Sequence, residues 1–178
     1  MVTMVIFATV EGHTAKIANF VKSQVEDASM AVRMVDASDP MVELSFEDVD
    51  RIILAAPVHE RRHPKPFEVL VSTNLDVLNA RPTLLISVSL SAAFQEGLEE
   101  ANDYAEEMEM RTGLKPNSRL LVAGAIRMGK YDYYATQVLR HIVLRGREVD
   151  MAKSEHEFTD WDSLGNSLNT FLMAEKSG

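Results

Sequence analysis

A doubly wound α/β sandwich is predicted for this chain: a five-stranded parallel sheet between two helical layers, with an insertion before the last helix. Three observations predict it. Short apolar runs rich in β-branched residues alternate along the 178 residues with segments whose apolar positions return every three or four. Gly, Pro or short polar residues mark most of the changes of pattern. A composition of 46% hydrophobic and 25% charged residues suits one packed domain spanning 1–178.

The elements follow in order. Residues 2–8 (Val-Thr-Met-Val-Ile-Phe-Ala) read as a buried first strand, followed by a turn at 9–13. A helical pattern begins at Thr14 and puts Ile17, Phe20, Val21 and Val25 on one face. Residues 31–36 read as a second strand and 36–40 as a loop. A third strand covers 51–56 and is stopped by Pro57. Residues 66–79 repeat the helical spacing through Phe67, Leu70, Val71, Leu75 and Leu78. A fourth strand spans 83–90. An acidic helix covers 94–113, with Gly113 in a C-cap position, and a fifth strand runs over 119–125. Thr159 and Asp160 form an N-cap pair for a last helix reaching about residue 174. Strands alternating with helices imply right-handed crossovers. The surplus segment, 126–158, is far longer than an ordinary loop and is read as an insertion.

Composition narrows function. The absence of cysteine excludes disulfides, thiol catalysis, iron–sulfur clusters and Cys-based zinc sites, and it fits a reducing, cytoplasmic setting. The formal charge of −9 weighs against nucleic acid as a partner. No stretch approaches the ~20 apolar residues of a membrane span. The apolar start lacks a basic leader region and runs into Glu11-Gly12-His13, so it reads as a strand rather than a signal peptide.

In open parallel sheets, ligands sit outside the carboxyl ends of the strands, where strand order reverses. Three loops converge there: 9–14, 57–64 and 87–91. The first reads Thr9-Val10-Glu11-Gly12-His13-Thr14 and opens a helix. Hydroxyls, a glycine and a helix N-terminus suit an anion such as a single terminal phosphate. The loop lacks both a Walker lysine and G-x-G-x-x-G, so neither triphosphate hydrolysis nor dinucleotide binding is indicated. A turn glycine at Gly12 with a plain N-cap at Thr14 explains the same residues equally well.

Thr9-x-x-Gly12-x-Thr14 resembles the flavodoxin phosphate loop, differing at Glu11, where flavodoxins carry a hydroxyl. Further along, Val122-Ala-Gly-Ala-Ile-Arg127, the tyrosines at 131 and 134, the insertion, and Phe158-Thr-Asp-Trp161 resemble the flavodoxin-like, menaquinone-dependent protoporphyrinogen IX dehydrogenase family. That family carries an acid where Glu11 stands. The resemblance spans nearly the whole chain. It implies bound FMN, oxidation of a porphyrinogen, and transfer of electrons to a membrane quinone. By position it implies that Thr9, Gly12, His13 and Thr14 hold the phosphate, with Glu11 in the same cofactor-binding loop. Pro57, Val58, His59 and Glu60 would face one side of the isoalloxazine, and Ser87, Val88, Ser89 and Leu90 would line the other rim. Arg127 and Tyr131 are substrate-binding candidates, with Arg127 steering an anionic substrate. No catalytic acid or base is assigned. The second loop departs from the pattern: His59-Glu60-Arg61-Arg62-His63 stands where an aromatic residue and a glycine are expected.

The same five residues formally match H-E-x-x-H, a zinc-hydrolase signature. Zinc needs both imidazoles on one helical face, whereas Pro57, Pro64 and Pro66 flank the motif and Pro64 turns His63 from helical dihedrals. No metal site is therefore assigned, and a partly exposed polar loop is expected. His13, His141 and His156 are expected at the surface. Segment 127–147 carries five basic residues and one acid, a charge of +4 that leaves −13 on the remainder. Tyr134, Val138, Ile142 and Arg145 follow helical spacing there. This basic amphipathic stretch suits peripheral contact with the inner face of the cell membrane, or a propionate-bearing tetrapyrrole, or packing at the sheet edge against the acidic helix. A homo-oligomer is compatible with all of these. Two rival readings are an FMN electron carrier without a substrate of its own and a flavodoxin-like module that has lost FMN.

Overall fold

The computed structural model describes residues 1–127, 137, 140 and 154–174. Five strands form one parallel sheet: β1 (Val2–Phe7), β2 (Ala31–Asp36), β3 (Arg51–Pro57), β4 (Thr83–Ser89) and β5 (Ser118–Ala123). Their spatial order is β2-β1-β3-β4-β5. Order therefore reverses between β1 and β3, and the crevice at their carboxyl ends is the place where such sheets bind ligands.

Period-two alternation along the strands builds two cores. Met4, Ile6, Ile52, Leu54 and Leu85 face one layer; Val5, Ile53, Leu84 and Ile86 face the other. The first layer is α2 (Lys65–Thr73), α3 (Leu75–Asn79) and α4 (Leu98–Thr112), which bury Phe67, Val71, Leu78 and Met108. The second is α1 (His13–Asp27) and α5 (Trp161–Met173), which bury Ile17, Val21, Val25, Leu164 and Leu168. The three-layer sandwich expected from the sequence is observed. Asp160 caps α5 by accepting the Ser163 N–H at 2.9 Å, as its position before the apolar pattern implies.

Several local expectations are corrected. The helix-capping role expected of Thr14 belongs to Gly12, whose left-handed φ of 91° turns the chain two residues earlier. The helix expected over 66–79 breaks at Asn74, whose side-chain amide donates to the Leu70 carbonyl at 2.8 Å and so competes with the helical ladder. The acidic helix begins at Leu98 rather than 94, because Phe94 is extended between two short 3-10 turns, Ser91–Ala93 and Gln95–Gly97. Gly113 closes it with φ 83°, as expected.

A further difference matters for function. The fifth strand ends at Ala123, and the chain then forms β6 (Ala125–Arg127), which pairs antiparallel with β7 (Glu155–Glu157). The insertion thus leaves and returns through a two-stranded ribbon. Its inner pair, Ile126 and His156, is buried, while Arg127 and Glu155 lie opposite each other on the outer face. Of the basic stretch 127–147, Gln137 and Arg140 are helical and exposed. Tyr131, Tyr134, His141 and the remaining residues of that predicted helix lie outside the described residues. Among the described residues no helix is long and apolar enough to cross a membrane.

Candidate functional site

A cleft of about 630 Å³ opens at the carboxyl ends of β1, β3, β4 and β5. That volume lies within the usual range for small-molecule sites. Four loops build it.

The first joins β1 to α1. Thr9 Oγ1 accepts the Gly12 N–H at 2.9 Å and fixes the turn. The first helical bond runs from Lys16 N–H to the Gly12 carbonyl at 3.2 Å, so the N–H groups of His13, Thr14 and Ala15 precede the ladder and have no acceptor within it. Donors without acceptors at the positive end of a helix dipole favour an anion. Glu11, His13 and Thr14 line the cleft, Glu11 exposed and the other two buried.

His13 was expected at the surface, and the structure corrects this: only 9% of it is exposed. Its Nε2 lies 2.7 Å from Thr159 Oγ1, whose own proton goes to the Ala123 carbonyl at 2.7 Å. The hydroxyl must therefore accept, which places the imidazole proton on Nε2. Burial pushes the His13 pKa below the usual histidine range, and Glu157 opposes that shift. Its Nδ1 is buried without a hydrogen-bond partner, 3.9 Å from Glu157 Oε2. The ring packs near Trp161, which starts α5 as expected and donates Nε1–H to Glu157 at 2.6 Å.

The second loop follows β3. Pro57 pairs with Val88, and Val58 N–H donates to the Val88 carbonyl at 2.7 Å. His59 and Arg62 then exchange two backbone hydrogen bonds of 2.9 and 3.0 Å around Glu60 and Arg61, both left-handed at φ 48° and 65°. The pair forms a primed hairpin turn in which glycine or asparagine would be usual. This geometry removes the helix that H-E-x-x-H requires. His63 does not share a helical face with His59, and it is not part of an exposed loop as expected. It turns inward, 1% exposed, with Nε2 3.0 Å from Ser87 Oγ. Burial lowers its pKa to about 4; Glu68 pulls it upward, and Arg111 adds to the lowering. Glu68 is itself buried and receives Arg62 and Arg111, each at 2.8 Å. Burial acts to raise the Glu68 pKa, but the hydrogen bonds and charges of the two arginines outweigh it, and the net shift is downward.

The third loop follows β4. Val88, Ser89, Leu90 and Ser91 line the cleft, whereas Ser87 sits beneath it, engaged with His63. Ser89 Oγ accepts the Ala92 N–H at 3.2 Å. Ser91 Oγ donates to Glu100 at 2.8 Å, and the other oxygen of Glu100 holds Arg61 at 2.9 Å. The Arg61 guanidinium lies 5.3 Å from the Tyr104 ring centroid. The hydroxyls of Tyr104 and Ser91, with Arg61, hold the Glu100 carboxyl below the ordinary carboxylate range. The fourth wall is Gly124, Ala125, Ile126 and Arg127.

The structure thus brings Glu11, His13, Thr14, Pro57, Val58, His59, Glu60, Val88, Ser89, Leu90 and Arg127 to one cleft. Thr9 and Gly12 shape its first loop without lining it. Sequence reasoning placed Ser91 in a converging loop without assigning it a role, and missed Tyr104 and the Gly124–Ile126 wall. Tyr104 was findable: it shares a three-and-four spacing with Ala101, Ala105 and Met108 on the buried face of α4.

Among known proteins, protoporphyrinogen IX dehydrogenase [quinone] of Escherichia coli strain K12 is 27% identical to this chain over 168 residues, which is 93% of the chain and 92% of that protein. Oxidised flavodoxin 1 from Bacillus cereus superposes with a TM-score of 0.50 at 19% identity, over 84% of this chain and 100% of its own. A single-site mutant of the flavodoxin from Pseudomonas aeruginosa gives 0.51 at 13% identity, over 82% and 96%. These two structures share the fold of this chain. The flavodoxin domain family matches residues 4–152. The chain belongs to the flavodoxin domain family.

Proposed function

We propose that this chain, read as one domain of residues 1–178 with 126–158 as its insertion, binds FMN in the cleft and oxidises a porphyrinogen with a membrane quinone as electron acceptor. The observation that carries the proposal is the first loop. A left-handed glycine and three N–H groups ahead of the helical ladder converge at one end of a cleft of suitable volume. Those features fit a phosphate-tailed planar cofactor. When bound, FMN supplies the redox chemistry, and the protein supplies position and electrostatics.

Thr9 and Gly12 set the turn, and the amides of residues 13–15 face the phosphate with the buried His13 and Thr14 beside them. Pro57, Val58, His59 and Glu60 form one wall for the ring system; Val88, Ser89 and Leu90 form the opposite rim, with Ser87 behind it. Glu60 disfavours negative charge in the cleft, and Arg61 opposes that effect at the mouth. The protoporphyrinogen substrate is proposed from the relative that matches 93% of the chain. Tyr131, within the insertion, would offer that macrocycle an aromatic face. The +4 segment 127–147 would hold the protein against an anionic inner membrane surface, close to the quinone. A homo-oligomer is compatible with this arrangement.

The test is turnover. FMN-loaded protein supplied with protoporphyrinogen and a menaquinone analogue is expected to form the fluorescent porphyrin well above the enzyme-free rate. Bound FMN with no porphyrin formed above that rate would reduce the protein to an electron carrier.

A further inference from the structure

The ribbon that opens and closes the insertion lies beside the first loop. A methyl group placed on Gly12 would stand 3.9 Å from both terminal nitrogens of Arg127. The guanidinium is therefore positioned over the left-handed glycine of the anion loop. Side-chain contacts tie ribbon and loop together. His13 reaches Thr159 at 2.7 Å, and Lys16 pairs with Glu157.

The charges nearby sort themselves. Lys16 is committed to Glu157 and lies 5.2 Å from the Trp161 ring centroid. Arg127 meets Glu155 through Nε at 3.7 Å, a long ion pair. Among the described residues its two terminal nitrogens have no acceptor, although they are the pair best shaped to grip an oxyanion. Glu11 stands in the same loop, exposed, and would repel a phosphate unless a cation offset it.

Building on the FMN reading above, we propose that Arg127 binds the cofactor's terminal phosphate, carried over Gly12 by the β6–β7 ribbon, rather than steering the substrate. The ribbon then has a role of its own: it delivers a cation to an anion loop that contains a carboxylate.

The experiment compares two flavins that differ only in the phosphate. Apoprotein is titrated with FMN and with riboflavin, followed by flavin fluorescence, for wild type, Arg127→Gln, Arg127→Lys and Glu11→Gln. Arg127→Gln is expected to weaken FMN about ten- to hundredfold and to leave riboflavin unchanged. Arg127→Lys should fall between, since it keeps the charge but loses the fork. Glu11→Gln should tighten FMN alone. If wild type binds FMN and Arg127→Gln binds it equally well, the assignment of Arg127 is overturned while the FMN reading stands. An equal loss for both flavins also overturns it. If wild type binds no FMN, both fall.

Discussion

Replacing Gly97 by alanine is expected to lower the melting temperature by roughly 2–12 °C and to weaken flavin binding. The cause is steric. A Cβ at residue 97 would lie 2.2 Å from the Ser91 carbonyl oxygen and 2.9 Å from its carbon. Those atoms are backbone, so no rotamer change relieves the overlap; either the Ser91–Ala93 turn or the start of α4 must move. Overpacking of this kind costs about 1–3 kcal/mol, and each kcal/mol moves the midpoint of a chain this size by about 2–4 °C. The functional loss follows from what Ser91 holds. It lines the cleft and donates to Glu100, which in turn holds Arg61 at the opposite lip. Gly165→Ala is the matched control. Its new Cβ, inside α5, would meet Phe20 Cζ and Gln24 Oε1 of α1 each at 3.5 Å, ordinary contacts. There alanine should stabilise by about 0.5–1 kcal/mol through helix propensity. Scanning calorimetry separates the two, and a Gly97→Ala protein as stable as wild type would contradict the packing described.

The stability of the protein should fall by about 3 kcal/mol between pH 6.5 and pH 4, with His63 as the main cause in that window. In the unfolded chain His63 takes up a proton near pH 6.5; in the fold it resists until about 4. Between those values the unfolded state holds more protons, so acidification favours it. Stability is therefore full above the unfolded pKa and is lost as pH falls towards the folded one. The groups facing His63 are Ser87, Phe67, Glu68 and Arg111. Glu68 acts lower on the scale. Its carboxyl is held below 4.5, so its contribution persists until pH falls beneath that value. His63→Gln keeps a group able to bond Ser87 but does not titrate. Urea unfolding of both proteins across the window should give a sloping profile for wild type and a flatter one for His63→Gln. Parallel slopes would remove His63 from the explanation.

The five-stranded sheet was legible because the central strands β1, β3 and β4 are short apolar runs buried along most of their length, the edge strands β2 and β5 are short and β-branched or Leu-rich, and the crossover helices repeat their apolar faces at three and four. The loops at the carboxyl ends were legible through topology alone. The remainder depended on information absent from periodicity. Ala125-Ile-Arg127 and Glu155-His-Glu157 are three residues each and lie about thirty positions apart, so nothing local marks them as partners. That pairing is what carries Arg127 to Gly12. The inward turn of His63 depends on two left-handed residues, Glu60 and Arg61, which sequence statistics would not place there. Asn74 was visible as a helix breaker only through its side-chain bond to Leu70.

The central claim is that the first loop and its cleft hold FMN. Titrating the purified apoprotein with FMN tests it most directly, with absorbance and flavin fluorescence read together. Saturable 1:1 quenching with a shift of the visible flavin bands is the expected result. Flavin that stays fully fluorescent at every protein concentration would contradict the claim.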